Sequence, residues 1–320
     1  DIRTIRKEET MRIGLIDVDS HNFPNLPLMK LSAYHKKIGD SVEWYEPLLS
    51  GHMDRVYMSK VFTFTPDYQY FIDADEVIKS GTGYFYPDGG KALPDEIEHI
   101  CPDYSLYGER FSDTAYGFLT RGCPNGCDFC IVGKKEGKCT RKVADLSEFW
   151  KGQKNIVLLD ANMFACRDWK ELSTQLIESR AWVDFSQGCD IRCMTEEKTA
   201  YLKQMRIKQI HFAWDRYEDK ERIIPKFHQF KEITGWDYRK LGVYVLCNYN
   251  TTFDQDLERI YILRDLGYSP YVMLYEKDKL PAGHPLRNLQ RWVNNRFIFR
   301  NCKKFEDYDT SKRDHKKGGY

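Results

Sequence analysis

The sequence predicts an α/β protein in which a partial barrel of six βα units follows a small open α/β domain. Two observations support this prediction. From Tyr116 onward, segments with a strand pattern alternate with segments of helical spacing. The roughly 190 residues available there hold six such units of about 30 residues each, whereas a closed eight-unit barrel needs about 250. We therefore expect an open, TIM-like (βα)6 barrel.

The first domain is predicted to span residues 11–110 and to be Rossmann-like, because its strands alternate with helical segments and so favour a parallel sheet. Its predicted elements are a helix over Leu26–Ile38 and extended segments over Arg12–Asp17, Val42–Tyr45, Arg55–Phe64 and Glu76–Tyr86. Residues 1–10 show no periodic pattern. We expect them to be disordered or vector-derived.

The barrel is predicted to span residues 111–302, with a polar tail over 303–320. Its six predicted strands are Ala115–Gly122, Asn155–Asn162, Trp182–Cys189, Ile207–Asp215, Leu241–Asn248 and Ser269–Glu276. The predicted helices are Asp168–Ser179, Glu196–Met205, Glu218–Thr234, Asp254–Leu266 and Pro285–Asn295.

Composition limits the function classes. The 320 residues include 49 Lys plus Arg and 48 Asp plus Glu, which leaves a formal charge of +1 and no long-range attraction to nucleic acid. A net charge of +1 does not exclude a local basic patch. No run reaches the ~18 uncharged apolar residues of a membrane-spanning helix, and the first ten residues are too charged for a secretory signal. We expect a cytoplasmic protein without a membrane partner.

Three of the ten cysteines, Cys123, Cys127 and Cys130, lie within eight residues at C-x3-C-x2-C spacing. Three thiolates on one loop can hold a [4Fe–4S] cluster and leave one iron open for a substrate, whereas four-cysteine clusters normally only carry electrons. Zinc would need a fourth ligand, for which His99 and Cys139 lack the usual paired spacing. Three buried thiols are the remaining alternative.

The motif Cys123-Pro-Asn-Gly-Cys127-Asp-Phe129-Cys130 resembles C-x3-C-x-φ-C, the signature of the radical S-adenosylmethionine superfamily. The resemblance implies that S-adenosylmethionine binds the open iron and that one electron from the reduced cluster cleaves it. The resulting 5′-deoxyadenosyl radical would abstract hydrogen from a substrate. A reductant protein such as flavodoxin or ferredoxin is the implied partner.

The resemblance also implies side chains that bind S-adenosylmethionine. Phe129 should lie beside the adenine, while Asp160 and Asn162 replace an absent Gly-Glu pair that receives the methionine amino group. The other predicted contacts are Gln187, Asp190 and Arg192 for the ribose and carboxylate, Asn248 near the adenine, and Tyr271 and Met273 on the last strand. Asp190 and Arg192 could instead form a pair that stabilises their loop, and Tyr271 and Met273 could instead pack in the core.

Three further residue types invite a site. Cys189 and Cys193 repeat the C-x3-C spacing of an auxiliary cluster, but they alternate with charged residues, as small side chains do where a strand enters a turn. We expect the second arrangement. His211 is expected to be a core histidine, and Asp215, which ends its strand, is a candidate site residue.

The first domain resembles the cobalamin-binding domain of one radical subgroup through Pro24–Leu28 and Ser80–Gly83. It lacks the Asp-x-His-x-x-Gly motif of a lower-ligand histidine, since the closest segment, Asp19-Ser20-His21, has another spacing. Phe62 and Phe64 are bulky at a predicted strand end. Cobalamin is therefore possible but not favoured.

The sequence predicts a radical S-adenosylmethionine enzyme acting on an unknown substrate. A cobalamin-dependent radical methyltransferase is the first alternative, and a non-catalytic metal-binding interaction module is the alternative of another class. The substrate classes left open are a peptide, a nucleotide, RNA and a small metabolite. Arg287, Arg291 and Arg296 could form a basic rim for a polyanion or a solvated helix face.

Overall fold

A computed structural model describes residues 10–20 and 23–310. The chain divides into two compact units, Asp1–Val183 and Asp184–Tyr320. Residues 1–9, 21–22 and 311–320 lie outside the described part, and with them most of the predicted leading segment, the Asp19-Ser20-His21 motif in part, and the end of the predicted tail. The domain boundaries at 110 and 302 stay predictions.

Strands and helices alternate along the described chain, which confirms the predicted α/β class. Its strands are β1 (Arg12–Asp17), β2 (Ser41–Trp44), β3 (Met53–Ser59), β4 (Ala74–Ser80), β5 (Thr114–Gly117), β6 (Thr120–Arg121), β7 (Arg141–Lys142), β8 (Asn155–Leu158), β9 (Trp182–Cys189), β10 (Arg206–Trp214), β11 (Leu241–Cys247) and β12 (Ser269–Leu274). Its α-helices are α1 (Leu26–Ile38), α2 (Asp95–Glu98), α3 (Val132–Lys135), α4 (Trp169–Ser179), α5 (Glu196–Gln204), α6 (Lys220–Thr234), α7 (Phe253–Asp265), α8 (Pro285–Asn294) and α9 (Arg296–Asn301).

The first sheet is parallel, as predicted for an open α/β domain. Its strand order is β2-β1-β3-β4, and each neighbouring pair is parallel. Helix α1 begins where the Asn25 side chain accepts a hydrogen bond from the Leu28 amide, and it ends at Gly39, whose φ of 100° is left-handed. Leu28 of α1 and Ile13 of β1 are fully buried in one core.

Two strands of this sheet end earlier than the sequence pattern predicts. β3 ends at Ser59 because the Asp19 carboxylate accepts hydrogen bonds from the Val61 and Phe62 amides, at 2.8 and 2.9 Å, which turns the chain out of the sheet. β4 ends at Ser80 because the Tyr84 and Phe85 amides donate back to the Gly81 carbonyl. The long extended segments predicted there were therefore wrong at their carboxyl ends.

A second sheet contains six strands in the order β5-β8-β9-β10-β11-β12, so strands that follow one another in the barrel series are neighbours. The pairs β5–β8, β10–β11 and β11–β12 are parallel. Among the described strands, β5 and β12 are the two edges of this sheet. This topology confirms the predicted partial barrel of six units.

In the second unit, α6 packs on one face of β10. Phe212 of β10 lies edge-on to Phe230 of α6, with ring centroids 4.9 Å apart, and both side chains are buried. Because side chains alternate along a strand, His211 and Asp215 lie on the opposite face of β10. None of the described helices has both the length and the apolar character needed to cross a membrane.

Candidate cofactor site

The three motif cysteines lie in the loop between β6 and α3, and all three are partly exposed. The Cys123 amide donates to the Gly137 carbonyl at 3.1 Å, and the Cys130 amide donates to the Cys127 carbonyl at 3.0 Å. Gly122 has a φ of 87°, and a Cβ there would lie 2.3 Å from the carbonyl oxygen of Cys139. Only glycine allows the chain to enter the loop along this path.

Glu136 closes the cysteine loop from its far end. One carboxylate oxygen lies 2.7 Å from the Arg121 guanidinium, and the other accepts from the Gly122 amide at 3.1 Å. The same guanidinium stacks on the Phe118 ring, 3.5 Å from its centroid. These contacts join the residues before the first cysteine to the residues after the third.

Asp160, a predicted cofactor contact, follows β8 and is buried. Its carboxylate accepts hydrogen bonds from the Leu119 amide at 3.1 Å, from the Thr120 amide at 2.5 Å and from the Thr120 hydroxyl at 2.6 Å. Burial raises the pKa of Asp160 to about 6, although the three hydrogen-bond donors by themselves lower it. Asp160 thus holds the segment that leads into the cysteine loop.

Asn162 lies beside the first cysteine of the loop. Its amide nitrogen is 3.8 Å from the Cys123 sulfur. Its amide oxygen is buried and has no hydrogen-bond partner among the described residues. A buried acceptor without a partner is costly, and an ammonium group placed there would satisfy it. This geometry suits the predicted role of Asn162 toward the methionine amino group.

The donor set fits a three-cysteine cluster. The three sulfurs belong to one loop, and none of the ten cysteines forms a disulfide. Among the described residues, no three Cys, His, Asp or Glu side chains surround a single metal ion. A cubane cluster does not require that arrangement, because each thiolate binds a different iron. His99, the possible zinc ligand, has its Nδ1 2.7 Å from the Glu148 carboxylate.

In the second unit, Asp190 and Arg192 form the ion pair that the sequence left as an alternative. Two nitrogens of the guanidinium donate to the two carboxylate oxygens at 2.8 and 3.0 Å, and a third lies 3.4 Å from Asp219. The Asp190 carboxylate also accepts from the Arg192 amide. Gln187 is exposed on β9. The cofactor roles of these residues stay predictions.

Asn248, the predicted adenine-side residue, follows β11 with a left-handed φ of 68°. Its amide nitrogen donates to the Tyr275 carbonyl at 3.0 Å, and its backbone amide donates to the Asp256 carboxylate at 3.1 Å. The residue after β12 therefore holds the Asn248 side chain, and Asp256 of α7 holds its backbone. Tyr271 and Met273 are half-exposed, at 49% and 47%, so the alternative that they pack in the core was wrong.

Sequence reasoning missed a buried ion pair on α7. Arg259 and Asp256 are fully buried, and their side chains are 2.5 Å apart. The Arg259 guanidinium also donates to the Trp214 carbonyl at 2.6 Å and to the Leu246 carbonyl at 2.8 Å. It therefore ties the end of β10 to the end of β11. A charged pair on the helix face that carries the buried Ile260 and Leu263 was the available signal.

Asp215 is mostly buried at the end of β10, and burial raises its pKa to about 6, while Arg259 and Arg192 lower it. The folded state therefore binds a proton more tightly than the unfolded chain, whose aspartates titrate near pH 4. The free energy of unfolding should fall as pH rises from 4 to 6, by on the order of 2 kcal/mol from this group. Urea titrations at several pH values should show that the free energy of unfolding depends less on pH in Asp215→Asn than in the wild type. An unchanged pH dependence would contradict the assignment of this effect to Asp215.

Other predicted residues are placed as follows. Cys189 is buried at the end of β9, and Cys193 is partly exposed. In the first domain, a Cβ on Gly81 would lie 2.2 Å from the Lys60 carbonyl oxygen, and one on Gly83 would lie 2.5 Å from the Lys60 side chain. The protein's own packing therefore explains both glycines of the segment that resembles a cobalamin domain. Neither glycine requires a bound cofactor to account for it.

No family model matches the chain. A CDK5RAP1-like protein from Oryza sativa subsp. japonica is 27% identical over 147 residues, which cover 38% of this chain. The match spans 23% of that protein's own length.

Among solved structures, the radical S-adenosylmethionine methyltransferase TsrM from Kitasatospora setae, with tryptophan substrate and the analogue aza-SAM bound, is similar to this chain. The TM-score is 0.57 at 12% identity, and the match covers 83% of this chain and 73% of that one. The fold of this chain is therefore similar to that of this methyltransferase. At this identity the likeness concerns the fold.

Proposed function

We propose that this protein is a radical S-adenosylmethionine enzyme. The observation that carries the proposal is the loop of Cys123, Cys127 and Cys130, which follows β6 in a chain with this fold. When bound by these thiolates, a [4Fe–4S] cluster would supply the one electron that cleaves S-adenosylmethionine into methionine and a 5′-deoxyadenosyl radical for hydrogen abstraction. The electron would come from a reductant protein such as flavodoxin or ferredoxin.

The chain's own residues would orient the cofactors. Glu136 and Gly122 set the two ends of the cysteine loop, and Asp160 fixes the segment before it. The Asn162 amide nitrogen can donate a hydrogen bond to the Cys123 thiolate. Its buried oxygen can accept a hydrogen bond from the methionine ammonium group. Phe129 supplies an apolar face for the adenine, as the resemblance implies.

The first experiment compares the wild type with a Cys123→Ala, Cys127→Ala, Cys130→Ala variant after anaerobic reconstitution. We expect about four irons per wild-type chain and fewer than about one in the variant. Dithionite and S-adenosylmethionine should give 5′-deoxyadenosine with the wild type and at least about a hundredfold less with the variant. Loss of the ligands removes the cluster that would pass the electron from dithionite to S-adenosylmethionine.

Cys139→Ala is the matched control, because Cys139 is an exposed cysteine in the same segment and outside the motif. It should keep the iron content and the 5′-deoxyadenosine yield of the wild type. Equal nucleoside yields from the wild type and the triple variant would overturn the proposal. Stoichiometric zinc without any nucleoside product would instead support the non-catalytic metal-binding module.

A further inference from the structure

A cavity of about 450 Å³ lies in the second unit at the amino-terminal ends of β11 and β12. The strand register places His211 of β10 beside Gly242 of β11, and Gly242 beside Ser269 of β12, and all three residues line the cavity. Its volume is in the range of small-molecule sites. Barrel active sites form at the carboxyl ends of the strands, whereas this cavity lies at their amino-terminal ends. Of the residues considered above for the cofactors, Tyr271 alone lines it.

The cavity is lined by an excess of positive charge. Arg264, Arg296, Arg300 and Lys303 line it together with one carboxylate, that of Asp265. Within the described residues, none of the four cations forms a salt bridge with a carboxylate. Unneutralised cations around a concave surface attract an anion, and arginine binds phosphate through paired hydrogen bonds.

Two of these arginines already have defined positions. The Arg264 guanidinium donates to the Phe299 and Lys303 carbonyls and stacks on the Phe299 ring, 3.6 Å from its centroid. The Arg300 guanidinium stacks on Tyr238 at 4.3 Å. Arg296 and Lys303 are therefore the cations whose side chains have the most freedom to turn toward a bound phosphate.

The same cavity has an aromatic wall with a hydrogen-bonding group. The His211 ring stacks flat on Tyr244, with centroids 4.8 Å apart and planes 7° apart. A Cβ on Gly242 would lie 2.5 Å from the His211 ring, so the glycine leaves the space that the ring occupies. Tyr238 and Tyr271, both more than a third exposed, add further ring surface to the lining.

His211 also has a buried nitrogen without a partner. Its Nδ1 is buried and has no hydrogen-bond partner among the described residues. Burial lowers the pKa of this histidine, so the ring is neutral at pH 7. A neutral imidazole protonated at Nε2 has its acceptor at Nδ1. In that tautomer the ring offers a stacked surface and one acceptor.

We propose that this cavity is a binding site for a mononucleotide, with its phosphate at Arg296 and Lys303 and its base beside His211 and the tyrosines. Phosphate matches the cations, and a heterocyclic base with an amino group matches an aromatic wall that carries a hydrogen-bond acceptor. A nucleotide of this size fits a volume of about 450 Å³. The site is independent of the proposed radical chemistry.

Isothermal titration of the full chain with AMP, adenosine and inorganic phosphate tests the proposal. We expect AMP to bind with a dissociation constant below about 1 mM, and at least about tenfold more tightly than adenosine or phosphate alone. Raising the salt from 50 to 300 mM should weaken AMP binding and leave adenosine binding nearly unchanged, because only the phosphate contacts are screened.

Two variants locate the ligand. Arg296→Gln should weaken AMP binding at least about fivefold without changing adenosine binding, and His211→Phe should weaken both, since it removes the acceptor while it keeps a ring. Arg222→Gln is the control for net charge, because Arg222 is exposed on α6 and does not line the cavity. Circular dichroism and thermal melts should show that each variant is folded.

Three outcomes would overturn the proposal. The first is the absence of AMP binding at millimolar concentration, and the second is binding that Arg296→Gln and Arg222→Gln weaken equally. The third is AMP binding that is lost in the triple cysteine variant or abolished by S-adenosylmethionine, because the nucleotide would then occupy the proposed cofactor site. Failure of the radical proposal would leave these binding results unchanged.

Discussion

Asp160→Ala is expected to lower the free energy of unfolding by about 3–5 kcal/mol and to abolish retention of iron by the cysteine loop. The substitution removes the acceptor for two backbone amides and one hydroxyl in a buried place. Each buried donor left without a partner costs about 1–3 kcal/mol. The segment that the carboxylate holds, Leu119–Thr120, leads directly into the loop of Cys123, so its release should also disorder the proposed ligands.

Urea denaturation measures the stability change, and iron analysis after reconstitution measures the effect on the loop. Asp160→Asn serves as the graded control, because the amide keeps one acceptor oxygen of similar shape and should show a smaller loss in both measurements. A stability of Asp160→Ala within about 1 kcal/mol of the wild type would contradict the structural role assigned to this carboxylate.

Arg259→Met should destabilise the protein by about 3–5 kcal/mol, because it leaves the Asp256 carboxylate buried without its partner. The carbonyls of Trp214 and Leu246 would lose a charged donor at the same time. Trp214 directly precedes the candidate site residue Asp215, and Leu246 lies two residues before the candidate Asn248. Denaturant unfolding of the full chain measures the change.

The double variant Asp256→Leu, Arg259→Met separates loss of the pair from loss of the buried charge. Replacing both partners by apolar side chains should recover much of the stability lost in Arg259→Met. Lys220→Met is the surface control: its ion pair with Glu258 is partly exposed, and its loss should change stability little. A double variant less stable than Arg259→Met would contradict the assignment of the cost to the unpaired carboxylate.

Local sequence patterns predicted the second sheet well. β9 begins and ends at the predicted residues, Trp182 and Cys189, and α8 begins at the predicted Pro285. Alternating apolar residues and a proline at a helix start are signals that lie within a few residues of each other. β3 was predicted too long because the Asp19 carboxylate that stops it lies about forty residues away in the chain.

In the candidate site too, local sequence signals were predictable and contacts between distant residues were not. The cysteine motif is compact in sequence, so its three members could be named without a structure. The partners of Asp160 lie about forty residues earlier, and the carbonyl that Arg259 binds on β10 belongs to Trp214, 45 residues before it. Neither contact leaves a periodic signal, because each depends on which strand ends the fold brings together.

The sequence by itself determined the α/β class, the six-unit series and the three cysteines, because hydrophobic periodicity and motif spacing are local properties. Only the tertiary structure decided that Asp160 binds the backbone before the cysteine loop, that the buried Arg259 joins β10 to β11, and that His211 lines a cationic cavity. The physical reason is that burial, hydrogen-bond satisfaction and charge balance depend on residues far apart in the chain, and these become neighbours only when the strands pair.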